Sequence, residues 1–202
     1  MRTIVKEEII YSWEDVKNNP EFLEKVLDRH RDINTLDDWW DFVYDDFAQE
    51  NKYFNVKDMY FSGFWSQGDG AMFEYNYIDD RLKYEFIDSL NLTPMRKKWL
   101  INNANFYGKG KHSGRYYHEN SCDHNVGCEV DNGDILCGTN FRNWIESFDD
   151  LFSDFVIDRY KDMCLELYNK LSKTYDYLHS DQSVCDTLEA NDYEFDEQGN
   201  II

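Results

Sequence analysis

The chain has 202 residues with 41 Asp and Glu against 21 Lys and Arg, a formal charge of -20 that repels free nucleic acid and anionic membranes and favours basic protein partners. Its 14 Phe, 15 Tyr and 6 Trp supply a large core, while 2 Pro and 10 Gly exclude a collagen-like, linker-rich or disordered chain. No apolar run approaches the roughly 18 residues of a membrane span, and MRTIVKEEII meets two glutamates before any long apolar stretch, so a cytoplasmic protein folded as one domain, 1–202, is expected.

From the N-terminus, TIVKEEIIYSW suggests a short edge strand, and Ser12 with Asp15 has the spacing of a reciprocal helix cap. Asn19-Pro20 is a helix start, followed by the apolar stripe Phe22, Leu23, Val26 and Leu27. A second helix is expected over TLDDWWDFVYDDFAQE, capped by Thr35, with Asp37, Asp38, Asp41, Asp45, Asp46 and Glu50 as an acidic strip. Residues 59–65 and 71–78 alternate as strands. Between them SQGDG is the turn of a hairpin, with Asp69-Gly70 offered for the positive-φ positions. Residues 81–90 fit a strand or a helix equally, and Thr93-Pro94 opens a helix over 94–105. Short strands follow in GRYYHENSCDHNVGCEVDNGDILCG, where VDNGDI is a turn signal. From Trp144, apolar residues recur at steps of three and four to Leu178, predicting a helix of about 30 residues. Ser180 caps a further short helix closed by Asn191 in the left-handed conformation, and YEFDEQGNII offers an edge strand. The expected fold is therefore α+β: an antiparallel sheet with hairpins, packed against several helices, one of them long and in the C-terminal half.

Charge is uneven along the chain. Residues 1–58 hold 15 acids against 8 bases, and residues 146–202 hold 15 against 4, so both ends are strongly acidic. Pro94 to Tyr117 has six Lys and Arg and no acid. Interleaved with Phe106, Tyr107, Tyr116 and Tyr117, it has the look of a single-strand binder. The global charge favours another use, neutralising the acidic helices within the fold or across a homo-oligomer.

SQGDG lacks the Lys and the following helix of a phosphate loop, so it reads as a turn whose Gln67 and Asp69 bond locally or touch a partner. His118, Cys122, His124 and Cys128, with His112 and Cys137 nearby, are the right donors for a structural zinc but lack a Cys-x2-Cys pair. The five cysteines otherwise read as thiols, and a Cys122–His118 nucleophilic pair would need a lowered thiol pKa. With 41 acids, no single carboxylate pair is informative as a catalytic dyad.

DDWWDFVYDDF (37–47), YFSGFWSQGDGAMFEY (60–75), GRYYHE (114–119) and YDYLHSDQSVCDTLEANDYEFDEQGNI (175–201) together resemble a widespread family of small acidic proteins carried by phages and other mobile elements. The resemblance implies a non-enzymatic accessory or anti-defence factor that binds a basic host protein, in its narrower form as a mimic of DNA. Duplex DNA shows one charge per roughly 1.7 Å of axis. The carboxylates offered for this role are the 37–50 strip together with Glu146, Asp149, Asp150, Asp154, Asp158 and Asp162. Two alternatives stand beside it, an assembly protein of the element and a metal-supported enzyme or small-ligand protein built on the 112–137 block.

Overall fold

The computed structural model describes residues 9–130 and 139–202, and of 130 and 139–146 the backbone only. The chain divides into two compact units, 1–43 with 171–202, and 44–170, with the divisions falling inside two helices.

The first unit is helical. Its first helix, α1 (Trp13–Lys17), begins with the expected capping box, Ser12 and Asp15 bonding each other's backbone N–H. The second, α2 (Pro20–Arg29), starts at Asn19, whose side chain accepts the Phe22 N–H. The core here is Trp13, Val16, Val26, Leu27, Val184, Leu188 and Phe195. The C-terminal tail contributes single bridges rather than an edge strand: Phe195 pairs with Tyr11 and with Ile201.

Two further expectations fail in this unit. The helix sought from Thr35 is a 3₁₀ turn at Ile33–Thr35, and helical pairing restarts only with α3 (Asp41–Glu50). Trp39 and Trp40 precede α3 and pack edge-on against each other, and Trp39 also packs on Tyr175. Asn191 is right-handed, at φ -96°, and the left-handed residue is its neighbour Asp192 at φ 52°.

The second unit carries a four-stranded antiparallel sheet in the order β1 (Phe54–Phe61), β2 (Ala71–Ile78), β3 (Ala104–His112), β4 (Cys122–Val130). The first strand lies five residues earlier than its alternation suggested. It stops before Gly63, whose φ of 98° leaves extended space. The ambiguous segment is helix α4 (Asp80–Ser89), with Asp79 capping Arg81 N–H at 2.9 Å. Next comes α5 (Pro94–Asn103), starting at the expected proline. The long helix is α6 (Thr139–Leu178), about 60 Å at 1.5 Å per residue, and α7 (Asp181–Ala190) follows with Ser180 as its cap. The VDNGDI turn signal lies mainly outside the described residues.

The core stripe of α6 is Phe148, Phe152, Val156, Tyr160, Met163 and Leu167, packed with Phe73, Phe86 and Phe106. β2 and β3 share a single registered pair, Tyr75 with Gly110. A Cβ at 110 would lie 2.2 Å from the Tyr75 ring, so the close approach requires glycine. Where the two strands part, the Tyr160 hydroxyl takes the place of a strand, donating to the Phe73 carbonyl at 2.9 Å and accepting the Phe73 N–H at 3.3 Å. Among the described residues no helix is long and apolar enough to cross a membrane.

Candidate functional site

The outward side of α6 is where the acids gather. Asp150, Asp154, Asp158 and Asp162 follow one another at steps of four, about 6 Å apart along the axis, and all are exposed. None forms an ion pair with another described residue, although Lys161, half-buried, stands three residues from Asp158; Arg159 and Lys170 are committed elsewhere. Arg159 reaches Glu85 at 3.0 Å, and Lys170 holds Glu166 and Glu50.

Other carboxylates of the expected binding set have structural duties. Asp149 accepts the Cys128 N–H at 2.8 Å, tying α6 to β4. Glu50 is taken by Lys170. Asp69 accepts the N–H of Trp65 and Ser66 at 2.8 and 2.6 Å. Asp37, Asp38, Asp41, Asp45 and Asp46 are exposed, with Asp37 and Asp38 ahead of the helix rather than in its first turn. Gln67 is exposed at the loop tip. The side chain of Glu146 lies outside the described residues.

The SQGDG loop is braced. Gly63 and Gly68, not Asp69-Gly70, take the positive φ, and Ser62 N–H closes on the Gly70 carbonyl at 3.1 Å. Gly70 is needed for space, because a Cβ there would meet that of His118 at 2.6 Å. This places the loop beside the β3–β4 connection, where Tyr117 stacks on Tyr60 at 5.1 Å. On its other side Phe64 packs on Tyr168 of α6 at 5.7 Å. The loop thus borders the α6 face and carries Trp65, which is 75% exposed.

Of the four expected zinc ligands only Cys122 and His124 come close to each other. Cys122 and Cys128 are six residues apart on one strand, about 20 Å, too far to share an ion. His118 turns back to its own loop, accepting the Asn120 N–H at 3.1 Å. Among the described residues no three His, Cys, Asp or Glu side chains are grouped to hold a metal. Cys137 lies outside them.

The thiol–imidazole reading changes partner and character. The imidazole beside Cys122 is His124, with Nδ1 3.9 Å from the sulfur and 3.0 Å from the Tyr75 hydroxyl. Burial pushes the Cys122 thiol up to about 11, and burial with Lys161 holds His124 below its ordinary value. Both groups are therefore kept neutral, the opposite of an activated thiolate. Together with Tyr160 and Cys164 they make a buried polar knot between sheet and helix, which sequence spacing could not reveal because its members come from β2, β4 and α6.

The basic stretch meets an acidic helix at one described point. Lys97 turns to Asp88 of α4 at 3.5 Å, and Lys98, Lys109 and Lys111 are exposed or nearly so without an ion pair to the described acids of α3 or α6. Arg115 lies against the Tyr116 ring, 5.9 Å from its centre.

These features define an α+β protein whose long helix presents an acidic face bordered by an aromatic loop. The chain belongs to the family described as Domain of unknown function (DUF8835), whose model matches residues 39–181. That span takes in the whole sheet, the aromatic loop and all of α6. No curated protein and no solved structure matches the chain.

Proposed function

We propose that this chain is a non-enzymatic accessory protein of a phage or other mobile element that binds a basic host protein on the outward face of α6. The observation that carries it is the row Asp150, Asp154, Asp158 and Asp162, exposed and without an ion pair to the described residues. Placing like charges one helical turn apart disfavours the helix slightly, by a few tenths of a kcal/mol per pair, and a basic partner reverses that sign.

The narrower reading is inhibition of a nucleic-acid-processing or defence enzyme by DNA mimicry. Spacing limits what this one helix supplies: one carboxylate per about 6 Å, against one charge per about 1.7 Å in a duplex. The row favours a protein with a basic groove or helix, and mimicry would draw on further acids.

The test is capture from host lysate on immobilised protein, eluted by salt. Screening shortens the Debye length from about 8 Å near 0.15 M to about 3 Å at 1 M, so a partner held by this row leaves within that range. A variant with the four aspartates changed to asparagine is expected to lose it. Equal capture by both proteins refutes the proposal, and displacement of the partner by duplex DNA would support the mimicry form.

A further inference from the structure

The outward face of α6 carries a second pattern, which shares Asp158 and Asp162 with the acidic row. Leu151, Phe155, Asp158, Asp162, Leu165 and Asn169 succeed one another at steps of four and three, the spacing of a coiled-coil seam. The helix's own core stripe lies on the opposite side. Leu151 and Leu165 are 49% and 59% exposed, Phe155 is half-buried against Phe86, and the two aspartates and Asn169 are exposed. From Leu151 to Leu165 is 14 residues, two heptads, about 21 Å. The seam is thus apolar at both ends of a central pair of carboxylates, about 6 Å apart, neither of which forms an ion pair with a described residue, Lys161 standing beside them on the flank of the face.

Such a pattern specifies its partner. A facing helix gains by burying apolar residues against Leu151, Phe155 and Leu165 only if it brings positive charge to Asp158 and Asp162, because leaving those carboxylates dry and unpaired is costly. Polar residues at seam positions select partner and register in this way. The aromatic loop stands at one border of the same face, with Phe64 on Tyr168 and exposed Trp65 beside it, giving a rigid apolar lip.

We infer that the α6 seam is a docking site for a single amphipathic helix of a partner protein, apolar at its flanking seam positions and carrying lysine or arginine at the two that face Asp158 and Asp162. This rests on the proposed function and narrows it from a basic protein to one basic helix in one register.

The experiment uses the full chain and a labelled 21-residue synthetic helix with leucine at its outer seam positions and lysine at its two central ones. Fluorescence anisotropy should show saturable 1:1 binding. Leu151→Ala with Leu165→Ala should weaken it at least tenfold, and Asp158→Lys with Asp162→Lys should abolish it. A peptide with glutamate at the central positions should then bind the charge-reversed protein and not the original. All these residues lie on the outward face, so circular dichroism should be unchanged. Binding within twofold across the leucine variants overturns the seam. If polylysine still binds the wild-type chain in that case, the acidic face stands and only its register fails; if polylysine binds the four-asparagine variant equally, the proposed function fails as well. A concentration-dependent dimer of the chain abolished by the leucine changes would also overturn the inference, since the face would then close on its own copy.

Discussion

Changing Tyr160 to Phe removes one oxygen atom from the centre of the second unit. That hydroxyl donates to the Phe73 carbonyl at 2.9 Å and accepts the Phe73 N–H at 3.3 Å, and both residues are fully buried. Elsewhere in an antiparallel sheet a neighbouring strand satisfies such groups, but β2 and β3 share only one registered pair. The phenyl ring remains, with its packing on Phe73 and His124, each at 4.6 Å between centres, so the variant isolates the polar term. A buried hydrogen bond contributes about 1 kcal/mol net, and an orphaned backbone group costs about 1–3 kcal/mol. The expected loss is therefore about 2–3 kcal/mol. At about 2–4 °C per kcal/mol for a chain of this size, the midpoint should fall by about 4–12 °C. Urea unfolding should show a lower midpoint at unchanged slope, and hydrogen exchange should quicken at the Phe73 amide first. A loss under about 0.5 kcal/mol would mean that the strands re-pair without the hydroxyl, and the stitching role would be wrong.

The polar knot sets a pH profile. His124 is held below its ordinary value of 6.5, so below about that pH the unfolded chain takes the proton more readily and stability falls on acidification. His124→Gln should flatten this limb in urea midpoints measured from pH 7 to 5. The thiols act at the other end: Cys122 is pushed up to about 11, and Cys128 and Cys164 to about 12, from 9.0. Above about pH 9 the unfolded chain loses these protons first, so stability should fall again through pH 11 to 12. In the loop, Asp69→Ala frees the Trp65 and Ser66 amides, and their hydrogen exchange should rise at least tenfold with the global midpoint nearly unchanged. Asp69→Asn, which keeps an acceptor oxygen, should restore most of the protection, and equal exchange in all three proteins would contradict the bracing role.

Local rules were legible where the chain itself supplies the partner. The Ser12–Asp15 box, Asn19-Pro20 and the Ser180 cap each bond within a few residues, the Pro94 start needs only the fixed φ of proline, and each stands as read. The bounds of β2 were also legible, since its alternation ends at a charged helix cap. Reading failed where geometry is set from a distance. Thr35 and the acids after it look like a helix start, yet Trp39 and Trp40 pack before helical pairing begins. β3 was hidden inside a stretch read for its positive charge, because Gly108 and Gly110 contribute no apolar side chain to the alternation. The site shows the same division. Exposure of the 150–162 row followed from helical spacing alone. That Asp149 would cap a strand amide, that Glu50 would meet Lys170 and that His124 would stand beside Cys122 and the Tyr75 hydroxyl depend on which elements become neighbours.

On α6 the carboxylates sort into those that serve the fold and those that do not. Asp149, one residue from the row, is turned by the 100° step of the helix toward β4, where its Oδ1 accepts the Cys128 N–H. Asp158 and Asp162 lie on the opposite side, where neither forms an ion pair with a described residue. The core does not need Leu151 or Leu165 either, because the inner stripe from Phe148 to Leu167 already fills it. An outward leucine contributes little to folding, and two adjacent aspartates between outward leucines oppose it slightly. Each arrangement becomes favourable only when a surface that is apolar at the ends and positive in the middle covers it, and a helix supplies that surface with the same 21 Å repeat. The physical reason to regard this face as a binding surface is thus its fit to an absent complement, which charge density by itself would not specify.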